Sequence, residues 1–170
     1  RIDNVKWSPD SRKLGFTTIG EQGISLYVYD LENRSLITLS ENYVNDAIGG
    51  SPYQWFSDSY QIIYKRIDES RTMPPDKSQV PTGPIVQETS GRKAPSRTYQ
   101  DLLQNKYDED LFNYYTRSQL VLCDLDGRDT EIGDKGILYS ISTSPDGNYI
   151  LVQKIHEPFS YLVPYYRFPL

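Results

Sequence analysis

The chain has 170 residues and a formal net charge of −5, so it is sized for one domain and its charge does not suit a general phosphate or nucleic-acid binder. A single Cys and a single His exclude an internal disulfide and any Cys- or His-rich metal site, and no apolar run is long enough for a membrane-spanning helix. Aromatic residues reach 13 % with 15 Tyr in the lead, which favours strands over disorder.

The chain opens at Arg1 without Met or signal peptide, and its numbering is expected to begin inside a longer protein. Val5 to Phe16 reads as strand, tight turn, strand, with Ser8-Pro9-Asp10 supplying the turn chemistry. Ile24 to Asp30 then alternates apolar and polar, Glu32-Asn33-Arg34 turns, and Ser35 to Leu39 returns. Asn33-Arg34-Ser35 matches a glycosylation string, but a hairpin tip explains it equally well. Together these segments predict four antiparallel strands, the unit of a propeller blade.

Tyr53 to Tyr64 repeats the first pattern around Ser57-Asp58. Its second hairpin is expected only at Gln119 to Asp124, then Asp126-Gly127, then Thr130 to Ile132, and Asp-Gly is a strong hairpin signal. The delay marks an insertion over 67–117. Pro74, Pro75, Pro81, Pro84 and Pro95 with Gly83 and Gly91 make 67–97 an irregular loop. Tyr99, Leu102, Leu103, Tyr107, Leu111 and Tyr114 recur at steps of three or four and predict a helix over about 98–115, opened by Thr98 and Asp101.

Ile141 to Val152 is the third copy, around Ser144-Pro145-Asp146-Gly147. A third strand is expected near Ser160–Val163, and no fourth follows before Leu170. The turn aspartates Asp10, Asp58 and Asp146 are 48 and 88 residues apart, so one interval is a blade of roughly 40–50 residues and the other is a blade plus the insertion. The expected fold is mainly β: a partial β-propeller over 1–170, about two and a half four-stranded antiparallel blades with one inserted loop and α-helix. Open blade faces are expected to make the isolated chain self-associate.

The repeated Ser-Pro-Asp turn resembles the propeller repeats of the prolyl oligopeptidase family of serine peptidases, and also those of the Tol-Pal propeller protein. Thr82-Gly83-Pro84, Arg97-Thr98-Tyr99-Gln100-Asp101-Leu102-Leu103, Tyr107 to Phe112 and Ser118-Gln119-Leu120 resemble the glutamyl endopeptidase-like branch, as do His156 to Tyr161 and Arg167-Phe168-Pro169. That resemblance implies a non-catalytic segment of an N-terminal propeller. Such a propeller packs on a C-terminal α/β-hydrolase domain that carries the triad, and it gates peptide substrates. It also implies a periplasmic or exported parent, although the residues themselves fix no compartment. The alternative is a Tol-like protein-binding propeller without a catalytic partner.

The chemistry of the chain itself is consistent with a non-catalytic role. The G-x-S-x-G nucleophile elbow does not occur, and Gly23-Ile24-Ser25 lacks its second Gly. His156 is the sole candidate base and reads as a structural residue after a strand. Ser90 to Lys93 spells Ser-x-x-Lys inside the Pro/Gly-rich loop rather than at a helix start. Asp124, Asp126 and Asp129 fit a hairpin turn better than a calcium loop, and Cys123 reads as a buried, inert thiol. No catalytic residue, cofactor or metal is assigned. The stretch from Lys65 to Arg97 holds seven cations against four carboxylates, which gives either a solvated loop or a lure for acidic peptides. Arg97, Tyr99, Tyr107 and Arg167 are the candidate substrate-gating or domain-interface residues.

Overall fold

The computed structural model describes residues 1–76 and 102–169. β1 (Ile2–Trp7), β2 (Lys13–Ile19), β3 (Ile24–Asp30) and β4 (Ser35–Ser40) form an antiparallel meander in chain order. A second sheet takes β5 (Tyr53–Trp55), β6 (Gln61–Ile67), β7 (Arg117–Asp124), β8 (Asp129–Thr143) and β9 (Ile150–Ile155), again in order. β8 serves two blades. Asp129–Ile132 and, past a bulge, Gly136 and Ile137 pair with β7 and close the second meander, whereas Ile137–Thr143 pairs with β9 and opens a third. The architecture is a partial β-propeller of about two and a half blades.

The sequence separates the two halves of β8, yet the backbone runs through. Gly133 takes a φ of +62° at a register slip opposite Ser118–Leu120. The buried Gln119 amide spans this bulge, donating to the carbonyls of Leu120, Ile132 and Gly133.

The expected strand at Ser160–Val163 does not form. Pro158 and Pro164 bracket it, each lacking a backbone donor for a ladder. The segment bends instead, and Tyr165–Arg167 makes one 3₁₀ turn. Phe159 and Phe168 are buried, which takes two large rings out of water.

The core lies between the first two sheets. Leu26, Val28, Leu39 and Val44 meet Tyr53, Trp55, Ile62, Tyr64, Val121 and Cys123. Gly15 makes that approach possible: a Cβ there would stand 2.9 Å from the Tyr53 hydroxyl and 3.1 Å from Trp55 Nε1. Polar ties cross the same seam. Tyr53 donates to the Asn4 carbonyl at 2.7 Å, and Lys6 Nζ donates to the Tyr53 carbonyl and Gln54.

The three repeated turns are built alike. Ser8 Oγ accepts from Lys13 N and donates to Asp10, and Ser144 stands in the same relation to Tyr149 N and Asp146. In the middle turn Asp58 accepts from the backbone of Tyr60 and Gln61. These tips, with the β3–β4 and β7–β8 turns, lie at one end of the sheets. Asp10 N reaches Ser59 Oγ there, and Leu31 N reaches the Arg12 carbonyl.

Candidate functional site

The opposite end carries the β2–β3 loop, the 41–52 connection between blades, the described parts of the excursion from β6 to β7 (68–76 and 102–116), and residues 156–169. β6 and β7 are hydrogen-bonded neighbours, with Ile67 opposite Ser118. The chain therefore leaves the sheet after Ile67 and rejoins it at Arg117, one strand spacing away.

Asp68 fixes the root of that excursion. It is 6 % exposed and accepts from Ser70 N and Oγ, from Lys135 Nζ on β8 at 2.7 Å, and pairs with Arg117 Nε at 3.4 Å. Burial by itself would raise its pKa, but the Lys135 and Ser70 hydrogen bonds outweigh that and hold the carboxyl at about 2. One carboxylate thus ties the end of β6 to the first residue of β7 and to β8.

The helix α1 (Lys106–Thr116) begins later than the periodicity suggests. Thr98 and Asp101 lie outside the described residues, and Leu102–Gln104 are not helical. Asn105 is the cap, accepting from Asp108 N, while Asp108 accepts from Gln104 N. This reciprocal arrangement satisfies free amides at the helix start, and Asp108 with Glu109 suits its positive pole.

The face of α1 that anchors it also differs from the expected stripe. Phe112, absent from that stripe, meets Phe159, Tyr165 and Phe168 with ring centroids 5.2–6.1 Å apart. Phe112, Phe159 and Phe168 join Ile48, Ile137 and Ile155 in a separate cluster, so the inserted helix and residues 156–168 hold each other down. Asn113 adds a 2.7 Å bond to Glu157. Tyr114 faces the other way, stacked under Arg71 at 4.6 Å and donating to the Thr72 carbonyl.

Among the described residues, hollows open at this end. A groove of about 590 Å³ runs between Ala47–Ile48, Leu102–Gln104, α1 and Tyr165. A second, of about 490 Å³, lies among Asn42, Tyr43, Asp68, Glu69, Arg71 and Tyr114. A third, of about 220 Å³, is lined by Asp68, Ser70, Arg71, Thr72, Asn113, Tyr114 and Arg117.

Of the four candidate residues, Arg97 and Tyr99 lie outside the described residues, as does the Ser90–Lys93 string. Tyr107 sits half-buried in the first turn of α1, and Arg167 is exposed in the 3₁₀ turn. Both belong to the irregular end. His156 is exposed just past β9. Cys123 is fully buried, and burial pushes its thiol pKa up. Among the described residues no group of three metal-ligating side chains converges.

Among the described residues of the basic stretch, two of the three cations are already engaged. Lys65 is 1 % exposed, donates to the Ile48 carbonyl at 2.8 Å, and has its pKa lowered by burial to about 8. Arg66 is spent on Glu69, Asp129 and Glu131. Arg71 remains, joined by Arg117 and Lys135, which sequence reasoning did not single out. Their meeting depends on β6–β7–β8 register and leaves no local pattern.

No protein-family model matches the chain. It is 42 % identical to a probable chloroplastic glutamyl endopeptidase from Oryza sativa subsp. japonica and 38 % identical to one from Arabidopsis thaliana. Each match takes in 99 % of this chain but only 19 % and 18 % of the relative, so the chain spans about a fifth of the length of these curated relatives. Among solved structures it is similar to TolB from Acinetobacter baumannii, at 14 % identity and a TM-score of 0.47 over 88 % of this chain and 26 % of that one. An acylaminoacyl peptidase bound to Z-Gly-Gly-Phe-chloromethyl ketone gives 16 % identity and a TM-score of 0.46 over 97 % and 22 %.

Proposed function

The chain is homologous over nearly its whole length to about a fifth of the plant glutamyl endopeptidases, and from that premise we propose that it serves such a peptidase as a non-catalytic propeller segment. Peptide-bond hydrolysis then belongs to an α/β-hydrolase domain elsewhere on the longer polypeptide, with the chain packed on it and gating peptide access. The observation that carries this reading is 42 % identity across 99 % of the chain. A sequence without G-x-S-x-G, whose lone His156 is exposed beyond a sheet strand, supports it.

The irregular end is the face assigned to the catalytic domain. Its grooves, its helix and its aromatic cluster offer shape and apolar surface, whereas the opposite end offers only tight turns closed on their own hydrogen bonds. The 67–117 excursion is the gating element in this reading. Tyr107 and Arg167 act at that end.

The test uses the longer protein that carries this chain. Tyr107→Ala and Arg167→Ala are expected to change the ratio of kcat/KM for a long peptide to that for a short one several-fold, with short-peptide kcat nearly unchanged. An unaltered ratio in both variants would refute the gating role.

A further inference from the structure

The outward face of the first sheet is made of two rows of side chains. Trp7 stands opposite Leu14, Leu14 opposite Tyr29 and Tyr29 opposite Leu36, one residue from each strand. In the next row Phe16 stacks on Tyr27, which stands opposite Thr38, and Val5 lies two residues before Trp7 on the same face. Neither row contains a charged side chain, and Val5, Trp7 and Leu36 are more than half exposed.

The repeat shows what such a face receives. Counted from the turn aspartates Asp10 and Asp58, Trp7 corresponds to Trp55, Leu14 to Ile62 and Phe16 to Tyr64. The strand pairings extend the match from Tyr29 to Cys123 and from Tyr27 to Val121. In the second sheet none of these five is more than 7 % exposed, because the first sheet lies on them. The same positions in the first sheet therefore form a sheet-packing face, and among the described residues nothing covers Val5, Trp7 or Leu36.

A second copy of the chain offers two such faces. The far face of the third blade presents Tyr149 and Leu151 and is only two strands wide. It does not fit. Where the first two sheets meet, the Trp55 indole lies over Gly15, and a Cβ on Gly15 would stand 3.1 Å from its Nε1. The third repeat has Leu151 at the position of Gly15, so Trp7 of another copy would meet a branched side chain where the indole needs bare backbone. Two first sheets set face to face carry no such demand, and each takes the other's uncharged rows out of water. The rim adds no repulsion, because Arg12 pairs with Glu32 at one end and Arg1 with Asp3 at the other. Four strands about 4.8 Å apart, each six or seven residues long at about 3.3 Å per residue, give a face of roughly 400 Å² per copy, the size of a weak, reversible contact.

We propose that the chain forms a two-fold symmetric dimer in which the outward faces of two first sheets pack on each other. Sedimentation velocity on the full 170-residue chain, from about 2 to about 200 µM, tests it. A concentration-dependent shift that stops at the dimer is expected, with tryptophan emission moving to shorter wavelength as the Trp7 indole leaves water. Leu36→Asp puts a charge into the face at an exposed position and should weaken the dimer at least about tenfold. Val5→Lys should do the same from the opposite edge strand, and an unchanged far-UV spectrum separates loss of contact from loss of fold. Leu151→Asp should leave the dimer as it is. A monomer at every concentration, or a dimer that survives both Leu36→Asp and Val5→Lys, would overturn the proposal. So would growth past the dimer that Leu151→Asp abolishes, because that marks head-to-tail contact.

Discussion

Ser11, Ser59 and Gly147 occupy one equivalent position, each following the turn aspartate with a φ of 60°, 58° and 73°. Only Gly adopts that region without steric cost, so two of the three turns carry strain of about 1 kcal/mol. Ser11→Gly is expected to stabilise the chain by roughly 0.5–1 kcal/mol, read as a higher urea midpoint. Ser59→Gly should gain less, because Ser59 Oγ also accepts from Asp10 N of the neighbouring blade. The repeated turn was legible because this chemistry is local. Asp68 is the contrary case, since its partners come from β7 and β8, far along the chain. Its folded pKa of about 2 lies below the ordinary value of about 4, so its contribution is present above pH 4 and is lost as pH falls towards 2. Asp68→Asn should cost roughly 2 kcal/mol at neutral pH and flatten the loss of stability between pH 4 and 2. Denaturation midpoints at a series of pH values check both.

At the scale of elements, the seam between the first two blades depends on Gly15. Gly15→Ala forces its Cβ against Tyr53 and Trp55 and should destabilise the chain by roughly 1–3 kcal/mol in urea denaturation. The helix depends on Phe112. Phe112→Ala should leave the sheets intact while raising amide exchange in α1 and in residues 156–168 together, because the two share one aromatic cluster. Exchange confined to α1 would contradict that coupling. Helical periodicity was readable near Tyr107 and Leu111, but the anchoring ring was not. Phe112 turns towards Phe159 and Phe168, 47 and 56 residues on, and only the tertiary fold says so. The same holds for Ser160–Val163, where burial of rings overrides a strand-like run.

For the whole molecule, the outer face of the first sheet is the most telling surface. Trp7 stands opposite Leu14, Leu14 opposite Tyr29 and Tyr29 opposite Leu36, while Phe16 stacks on Tyr27. Val5, Trp7 and Leu36 are each more than half exposed. A four-strand apolar face of this kind marks an interaction surface. The isolated chain is therefore expected to self-associate, and Trp7→Ser with Leu36→Ser should shift sedimentation towards monomer. The propeller repeat was legible from three turns and their spacing. The cationic hollow at the excursion's root was not, because strand register assembles it. The central claim is that this chain shapes a peptidase without performing its chemistry. Peptide hydrolysis by the purified 170 residues, measured beside the longer protein that carries them, tests it most directly. The account predicts turnover by the longer protein, unchanged in kcat by His156→Ala, and none by the chain. Turnover by the chain that disappears with His156→Ala would contradict it.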